Sequence, residues 1–249
     1  MTTGRRDARA QARFIYETRY SDAAALLLAG SVVRGEATAH SDLDLVVLYE
    51  RVAHARRESF VSDGWPVEAF VHDAETLRYF FVEVDARAGT PSLAAMVLEG
   101  IDVVAGDRPS AATVAAKRQA AEHVAAGPAA WSERELQQRR YVLTDLVDDL
   151  RAPRSDAERV AAGARLYELL ADCILRSARR WSARGKSIPR VLAQHDAALA
   201  ARFVAAFDAL FAAGDTAAIV ALVEEVLRPL GGLLFDGYRL DAPADWRSR

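Results

Sequence analysis

The sequence has few of the residues that cross-link a protein or anchor it in a membrane. It contains one cysteine, Cys173, which excludes an internal disulfide and a cysteine-based zinc site. No run approaches the roughly 18 apolar residues of a membrane span, and the arginine-rich start lacks the apolar core of a signal peptide. We therefore expect a cytoplasmic protein with no membrane partner.

Charge of one sign does not dominate either. Of the 249 residues, 51% are hydrophobic and 27% charged, as in ordinary globular proteins. Residues 1–107 are net acidic and residues 108–249 slightly basic. A nucleic-acid surface would need a dominant basic face, so no nucleic-acid partner is expected. The asymmetry suits a cleft with one wall for a metal and one for phosphate, or it is ordinary variation along a chain.

The residue patterns change character once along the chain. Apolar runs over 24–29 and 43–49 predict strands, and the Asp63-Gly64 dipeptide between two further runs predicts a hairpin. After Pro109 the patterns are helical throughout. We predict an α+β fold: a catalytic domain over 1–107, with a mixed sheet flanked by helices, followed by an all-α helical bundle over 108–249.

A glycine-serine turn lies directly after the first predicted strand. Gly30 lets the backbone turn without a β-carbon, and Ser31 offers a hydroxyl and an N–H at the start of a predicted short helix that ends at Gly35. Backbone N–H groups at such a point bind phosphate oxygens well. The alternative is an ordinary turn, because Gly-Ser is a common turn dipeptide.

Two carboxylates follow at the start of the second predicted strand. Side chains at i and i+2 of a strand share a face, so Asp42 and Asp44 can point at one spot. Adjacent carboxylates repel each other unless a cation lies between them, and Mg²⁺ takes carboxylate and phosphate oxygens. Ser41 can cap or orient the turn before them. The alternative is a surface strand with alternating aspartates.

A third acid lies in the second arm of the predicted hairpin. If that arm lies beside the Asp42–Asp44 strand, Glu68 can reach the same ion or take a proton from a nearby hydroxyl. The alternative is an outward-facing glutamate, which the alternation around it also allows.

The segment Gly-Ser-x-x-x-Gly followed by Ser-Asp-x-Asp-Leu, from Gly30 to Val47, resembles the signature of the DNA polymerase β-type nucleotidyltransferase superfamily. The most similar branch holds the kanamycin-type aminoglycoside nucleotidyltransferases and the minimal nucleotidyltransferases. The resemblance implies that Ser31 contacts nucleotide phosphate, that Asp42 and Asp44 ligate Mg²⁺, and that Glu68 is the third acid.

The resemblance extends to one segment of the helical half. Residues 184–192 are similar to a stretch in which a lysine reaches the triphosphate, and here that lysine is Lys186. The alternative is a solvated helix start between Gly185 and Pro189. Glu168 and Asp172, spaced i and i+4, are candidates for binding ammonium groups of an acceptor, or ordinary solvated charge.

The resulting expectation is Mg²⁺-dependent transfer of a nucleoside monophosphate, AMP from ATP, to a hydroxyl of a small acceptor such as an aminoglycoside, with release of pyrophosphate. Two alternatives stay open: a regulatory enzyme that adenylylates a protein partner, as in toxin–antitoxin pairs, and a non-catalytic nucleotide-binding module. A homodimer is common in the resembling branch, and the sequence leaves the oligomeric state open.

Overall fold

The computed structural model describes residues 5–105, 108–242 and 247. Packing divides the chain into two compact units, Met1–Gly127 and Pro128–Arg249. The predicted boundary near residues 106–109 falls partly on Gly106 and Asp107, which lie outside the described residues, so the predicted division stays a prediction. The helix over 111–126 belongs to the first compact unit.

The first unit is built on a five-stranded sheet. Its elements, in chain order, are α1 (Ala8–Arg19), β1 (Ala25–Ala29), β2 (Leu43–Leu48), β3 (Arg56–Ser62), β4 (Trp65–His72), α2 (Ala74–Tyr79), a π-helical segment (Phe80–Asp85), α3 (Ala86–Ala88), α4 (Ser92–Glu99), β5 (Ile101–Asp102) and α5 (Ala111–Ala126). The strand order is β3-β4-β2-β1-β5. Only β2 and β4 pair in parallel among these neighbours. The predicted mixed sheet is confirmed.

Local sequence explains the hairpin. Asp63 and Gly64, the two residues between β3 and β4, both have positive φ, at 47° and 77°. A two-residue loop with positive φ at both positions matches the twist of the strands it joins, which favours Asp-Gly. The hairpin sets the register of β4 against β3 and so carries Glu68 to its place in the sheet.

Both faces of the sheet are buried. Leu43, Leu45 and Val47 of β2 pack toward α1, whereas Val46 and Leu48 pack on the other face, together with side chains of α4 and α5. Strands buried on both faces have continuous apolar runs, as β1 does throughout and β2 does from Leu45 to Leu48. Asp44 lies in the second set of positions, so its side chain is on the face that α4 covers.

The largely apolar run over 101–105 predicts a last, short strand, and β5 covers only its beginning. It pairs with β1 through Ile101 and Asp102, and the N–H of Val103 still donates to the carbonyl of Leu26 at 3.0 Å. The Oδ1 of Asp102 accepts hydrogen bonds from the N–H groups of Val104 and Ala105, both at 3.1 Å. A side chain that bonds the backbone two and three residues on turns the chain out of the sheet, so the strand ends early.

The second unit is helical, as predicted. It contains α6 (Glu133–Arg151), α7 (Asp156–Ser177), a 3₁₀ turn (Gly185–Ser187), α8 (Ile188–His195), α9 (Ala197–Asp208), a π-helical segment (Ala209–Ala213), α10 (Ala217–Leu227) and a 3₁₀ turn (Arg228–Leu230). One apolar core runs through the unit; its largest fully buried side chains include Leu143, Leu150, Phe203 and Phe207.

α7 is also shorter than its sequence pattern. The pattern predicts a helix over 155–183, but α7 ends at Ser177. Arg179 has φ of 57°, and the N–H of Arg180 bonds back to the carbonyl of Leu175 at 2.8 Å. A left-handed residue followed by such a backward bond is a usual helix end, although arginine gives no sequence signal for it.

Among the described residues, no helix is both long enough and apolar enough to cross a bilayer.

Candidate functional site

Three carboxylates meet at the same end of β2 and β4. Asp42 directly precedes β2, Asp44 lies within it, and Glu68 is paired with Asp44 in the parallel register. One oxygen of each lies within 4.8 Å of the others, and all three residues are partly buried. The structure thus brings together the three carboxylates that the sequence singles out.

The cluster carries unbalanced negative charge. Burial, followed by the charges of Asp42 and Glu68, raises the pKa of Asp44 to about 6. Within the described part of the chain, no ion pair joins Asp42 or Asp44 to a basic side chain. A cluster of carboxylate oxygens with excess negative charge has the donor chemistry that a hard divalent cation such as Mg²⁺ requires.

Gly30 makes room for one of these carboxylates. Its φ is +80°, and a β-carbon built on it would collide with Oδ2 of Asp44. A side chain at this position would therefore be excluded twice, by the backbone conformation and by the carboxylate. The glycine of the Gly-Ser turn is needed to bring the turn and the carboxylate cluster into contact.

The chain after Gly30 forms a turn, and the predicted short helix is not present. Val33 and Arg34 donate their N–H groups to the Gly30 carbonyl at 3.1 and 3.3 Å. The N–H of Glu36 then reaches back to the Ser31 carbonyl at 2.9 Å. Gly35, with φ of +71°, adopts a left-handed conformation and ends the turn before a regular helix can form.

Two serines link the turn to the chain before β2. The Ser31 hydroxyl donates to Oγ of Ser41 at 3.2 Å, and Oγ of Ser41 accepts the N–H of Thr38 at 2.8 Å. Ser41 therefore orients the segment that leads into Asp42. A direct contact of Gly30, Ser31 or Ser41 with a nucleotide stays a prediction.

The structure adds Glu99, the last residue of α4, which sequence reasoning missed. The Gly30 N–H donates to its carboxylate at 2.8 Å. Arg34 also donates to it, with Nη1 at 2.7 and 2.8 Å from the two oxygens. The sequence gives no signal for Glu99, since it lies far along the chain at the end of a different element; Arg34 could have been noticed inside the glycine-flanked motif.

Arg57 of the edge strand β3 is a second residue that sequence reasoning missed. Its Nη2 donates to Oε1 of Glu68 at 2.5 Å, and its guanidinium lies over the ring of Phe70 at 5.2 Å. Ser59 of the same strand is paired with Glu68 in the antiparallel register. The third carboxylate therefore differs from the two aspartates, because a cation of the edge strand already contacts it.

The candidates of the helical half lie in the second unit. Lys186 is exposed in the 3₁₀ turn before α8, and its contact with a triphosphate stays a prediction. Glu168 accepts the N–H of Gly185 at 3.0 Å, and Asp172 forms an ion pair with Arg139. Both acids thus have partners inside their own unit.

Part of the chain matches a known domain family. Residues 11–86 match the model of the nucleotidyltransferase domain family. The chain is also similar to the solved structure of a nucleotidyltransferase-like protein from Exiguobacterium sibiricum 255-15, with 14% identity over 89% of this chain and 74% of that one, and a TM-score of 0.41. No curated protein matches the sequence. The matched residues contain the turn at Gly30 and all three carboxylates. Residues 11–86 are therefore similar to a nucleotidyltransferase domain, and this match supports a nucleotidyltransferase as the enzyme class of the chain.

Proposed function

We propose that the protein transfers AMP from ATP to a hydroxyl of a small acceptor, with Mg²⁺ as the metal and pyrophosphate as the second product. One observation carries the proposal: Asp42, Asp44 and Glu68 offer oxygens within 4.8 Å of one another, directly beside the Gly30 turn. Phosphoryl transfer depends mainly on positioning and on charge stabilisation. Carboxylates that can hold a metal, next to a backbone turn, suit both requirements.

The proposed reaction is a displacement at the α-phosphorus. The acceptor oxygen forms a bond to that phosphorus, the bond from it to the oxygen bridging to the β-phosphate breaks, and pyrophosphate leaves. Asp42, Asp44 and Glu68 would hold Mg²⁺, which when bound neutralises charge on the phosphates. Glu68 is also the candidate to take the acceptor proton, a contribution of roughly 10²–10⁴ in rate.

The remaining predicted residues have roles in binding phosphate. Ser31 and Ser41, which are hydrogen-bonded to each other, would orient the turn toward the β- and γ-phosphates. Lys186 would supply a positive charge to the triphosphate, for which a compact ammonium on a flexible stem is suited. These roles follow from the resemblance of the motif and are part of the proposal.

The acceptor is the least constrained element. An aminoglycoside follows from the resemblance to the kanamycin-type branch alone. Protein adenylylation is the second candidate; the helical second unit in the same chain speaks against the minimal form that such enzymes take. A non-catalytic nucleotide-binding module is the third, and the presence of all three acids in one cluster speaks against it.

The test is transfer of label from ATP labelled at the α-phosphate. The protein is incubated with Mg²⁺ and a panel of aminoglycosides, and Asp44→Asn serves as the inactive variant. We expect labelled aminoglycoside and stoichiometric pyrophosphate with the wild type, and a loss of roughly a hundredfold or more with the variant, because a metal ligand is removed. Asp22→Asn, an exposed aspartate of the same unit, is the matched control and should keep full activity.

Each alternative has its own outcome. Label on a co-purified protein instead of a sugar would support adenylylation of a protein. Mg²⁺-dependent ATP binding with no pyrophosphate from any acceptor would support the binding module. Transfer that survives in Asp44→Asn would contradict the assignment of the site.

A further inference from the structure

We infer that Glu99 is a positioning residue for nucleotide binding: it holds the turn from Gly30 to Gly35 in place beside the carboxylate of Asp44. The inference rests on the proposed function, because it assigns Glu99 a role in positioning the nucleotide site proposed above. Glu99 lies beyond residues 11–86, the part that matches the nucleotidyltransferase family.

First, the carboxylate of Glu99 is hydrogen-bonded to both ends of the turn, at Gly30 and at Arg34. Oε1 of Glu99 accepts the Gly30 N–H at 2.8 Å and Nη1 of Arg34 at 2.7 Å, and Oε2 accepts the same Nη1 at 2.8 Å. The Glu99 side chain is 25% exposed and that of Arg34 27% exposed. Hydrogen bonds to charged groups in such a partly buried place are among the stronger ones, so they hold the turn firmly.

The second step is that Glu99 is itself held in place. At the start of α4, the buried carboxylate of Asp85 accepts the N–H of Ala94 at 3.4 Å. At its end, Lys117 of α5 donates to the carbonyl of Leu98 at 3.1 Å. Gly100 follows directly, and a β-carbon there would meet the Leu27 side chain at 2.9 Å, so this helix end packs tightly on β1. A helix fixed at both ends is a rigid support.

The third step links the turn to the metal ligands. Gly30 packs so closely on Asp44 that no β-carbon fits between them. A turn released from Glu99 can move relative to the sheet, whereas Asp44 is fixed in β2 by its pairing with Ala29 and Glu68. Loss of Glu99 therefore separates the turn from the carboxylate cluster, two parts that one nucleotide has to contact together.

An opposite role for Glu99 can also be tested. Its carboxylate accepts the Gly30 N–H, which could otherwise donate to a phosphate oxygen. In this role Glu99 would compete with the phosphate and weaken nucleotide binding. The two roles differ in sign: removal of a positioning residue weakens the binding of Mg²⁺ and ATP, and removal of a competitor strengthens it.

The experiment measures binding of a non-hydrolysable ATP analogue by calorimetry at saturating Mg²⁺, with the thermal unfolding midpoint recorded for each variant. We expect Glu99→Ala to raise the Kd about tenfold or more, because two charge-assisted contacts are lost. Glu99→Gln should raise it less, because its amide oxygen still accepts the Gly30 N–H. Glu36→Gln is the matched control: Glu36 accepts from Nε of the same Arg34 at 2.9 Å, and its loss should change the Kd by less than about twofold.

A second readout needs no nucleotide. Mn²⁺ binding, followed by electron paramagnetic resonance, reports on the three carboxylates alone. Since Asp44 is fixed in β2, Glu99→Ala should leave Mn²⁺ affinity within about threefold of the wild type, a change attributable to one lost charge. Weak analogue binding with near-normal Mn²⁺ binding and normal folding is the expected combination.

Two results for Glu99→Ala would overturn the inference: a Kd for the analogue equal to that of the wild type, or a lower Kd. A third is equal weakening in Glu99→Ala, Glu99→Gln and Glu36→Gln, which would assign the effect to charge alone. If the wild-type protein binds Mn²⁺ but no analogue, the proposed function fails, and the role inferred for Glu99 fails with it. If the wild type binds the analogue and Glu99→Ala binds it equally well, only the role of Glu99 is wrong.

Discussion

Two aspartates of the first unit and two acids of the second unit have different neighbours. In the first unit, Asp42 and Asp44 lie beside a third acid, Glu68. In the second unit, Asp172 contacts Arg139 and Glu224 contacts Arg151. Acids gathered together destabilise a fold unless a ligand offsets their repulsion, whereas the charge of an acid beside an arginine is already balanced within the fold. The comparison teaches that a candidate ligand site is distinguished from a structural ion pair by the charges of the neighbouring side chains, more than by the burial of the carboxylate.

The largest effect is expected for a substitution that places an atom against the carboxylate cluster of the first unit. Gly30→Ala places a methyl group against Oδ2 of Asp44, so we expect it to abolish Mg²⁺-dependent binding of ATP. Gly35→Ala is the matched control in the same turn: its φ is also positive, +71°, but nothing lies within 4 Å of the added carbon. Both variants carry a backbone cost of about 1–2 kcal/mol.

Calorimetric titration with ATP, together with urea unfolding, separates the two contributions. Equal loss of binding in Gly30→Ala and Gly35→Ala would mean that backbone strain, and not the collision with Asp44, controls the site.

A smaller effect is expected in the second unit, where a substitution should change the stability of the fold and not the binding of Mg²⁺ and ATP. Arg139 forms an ion pair with Asp172 and lies over the Trp131 ring at 4.3 Å. Arg139→Ala leaves a partly buried carboxylate without this partner and removes the stacking contact, so we expect the free energy of unfolding to fall by about 2 kcal/mol. Urea denaturation measures it. Binding of Mg²⁺ and ATP should stay unchanged, and a clear loss of binding would break the distinction between the units.

Arg202→Ala serves as the control for this prediction. Arg202 pairs with Glu225, but both side chains are about half exposed. An exposed pair is screened by water and contributes little, so no measurable change in unfolding is expected.

The last effect, which appears only as a change with pH, concerns a buried acid that has neither kind of neighbour. Burial raises the pKa of Asp85 to about 6, against the opposing effect of hydrogen bonds from the N–H groups at the start of α4. A raised pKa means that the folded state favours the protonated acid, so this contribution to stability is complete below about pH 4 and is lost as the pH rises through about 6.

Asp85→Asn is uncharged at every pH and keeps an oxygen for the helix N–H groups. Relative to the wild type, its free energy of unfolding should therefore increase between pH 4 and pH 7.5 by about 2 kcal/mol, because each pKa unit corresponds to about 1.4 kcal/mol. Urea denaturation at the two pH values checks this. A difference between variant and wild type that does not change with pH would mean that Asp85 stays charged or stays neutral throughout.

Much of the first unit could be predicted from sequence because its signals are local. Asp63-Gly64 determines the hairpin, and the i, i+2 spacing places Asp42 and Asp44 on one face of the predicted strand. The approach of Glu68 to them depends on the parallel pairing of β2 with β4, which sequence analysis could state only as a condition. Glu99 could not be predicted, since its position depends on how α4 packs against β1 through Gly100 and Leu27. The end of α7 was missed for a similar reason: Arg179 adopts a left-handed conformation that its residue type does not suggest.

The edge strand β3 has a consequence for handling the protein. A strand at the edge of a sheet exposes unpaired backbone groups to which another chain can add, and natural proteins discourage this with charged residues. The first three residues of β3 are Arg56, Arg57 and Glu58, and β5, at the other edge, has only two residues. Arg57 is also the residue that contacts Glu68. Surface engineering that removes the charge of Arg57 would therefore alter both the colloidal behaviour of the protein and the surroundings of Glu68 in the carboxylate cluster.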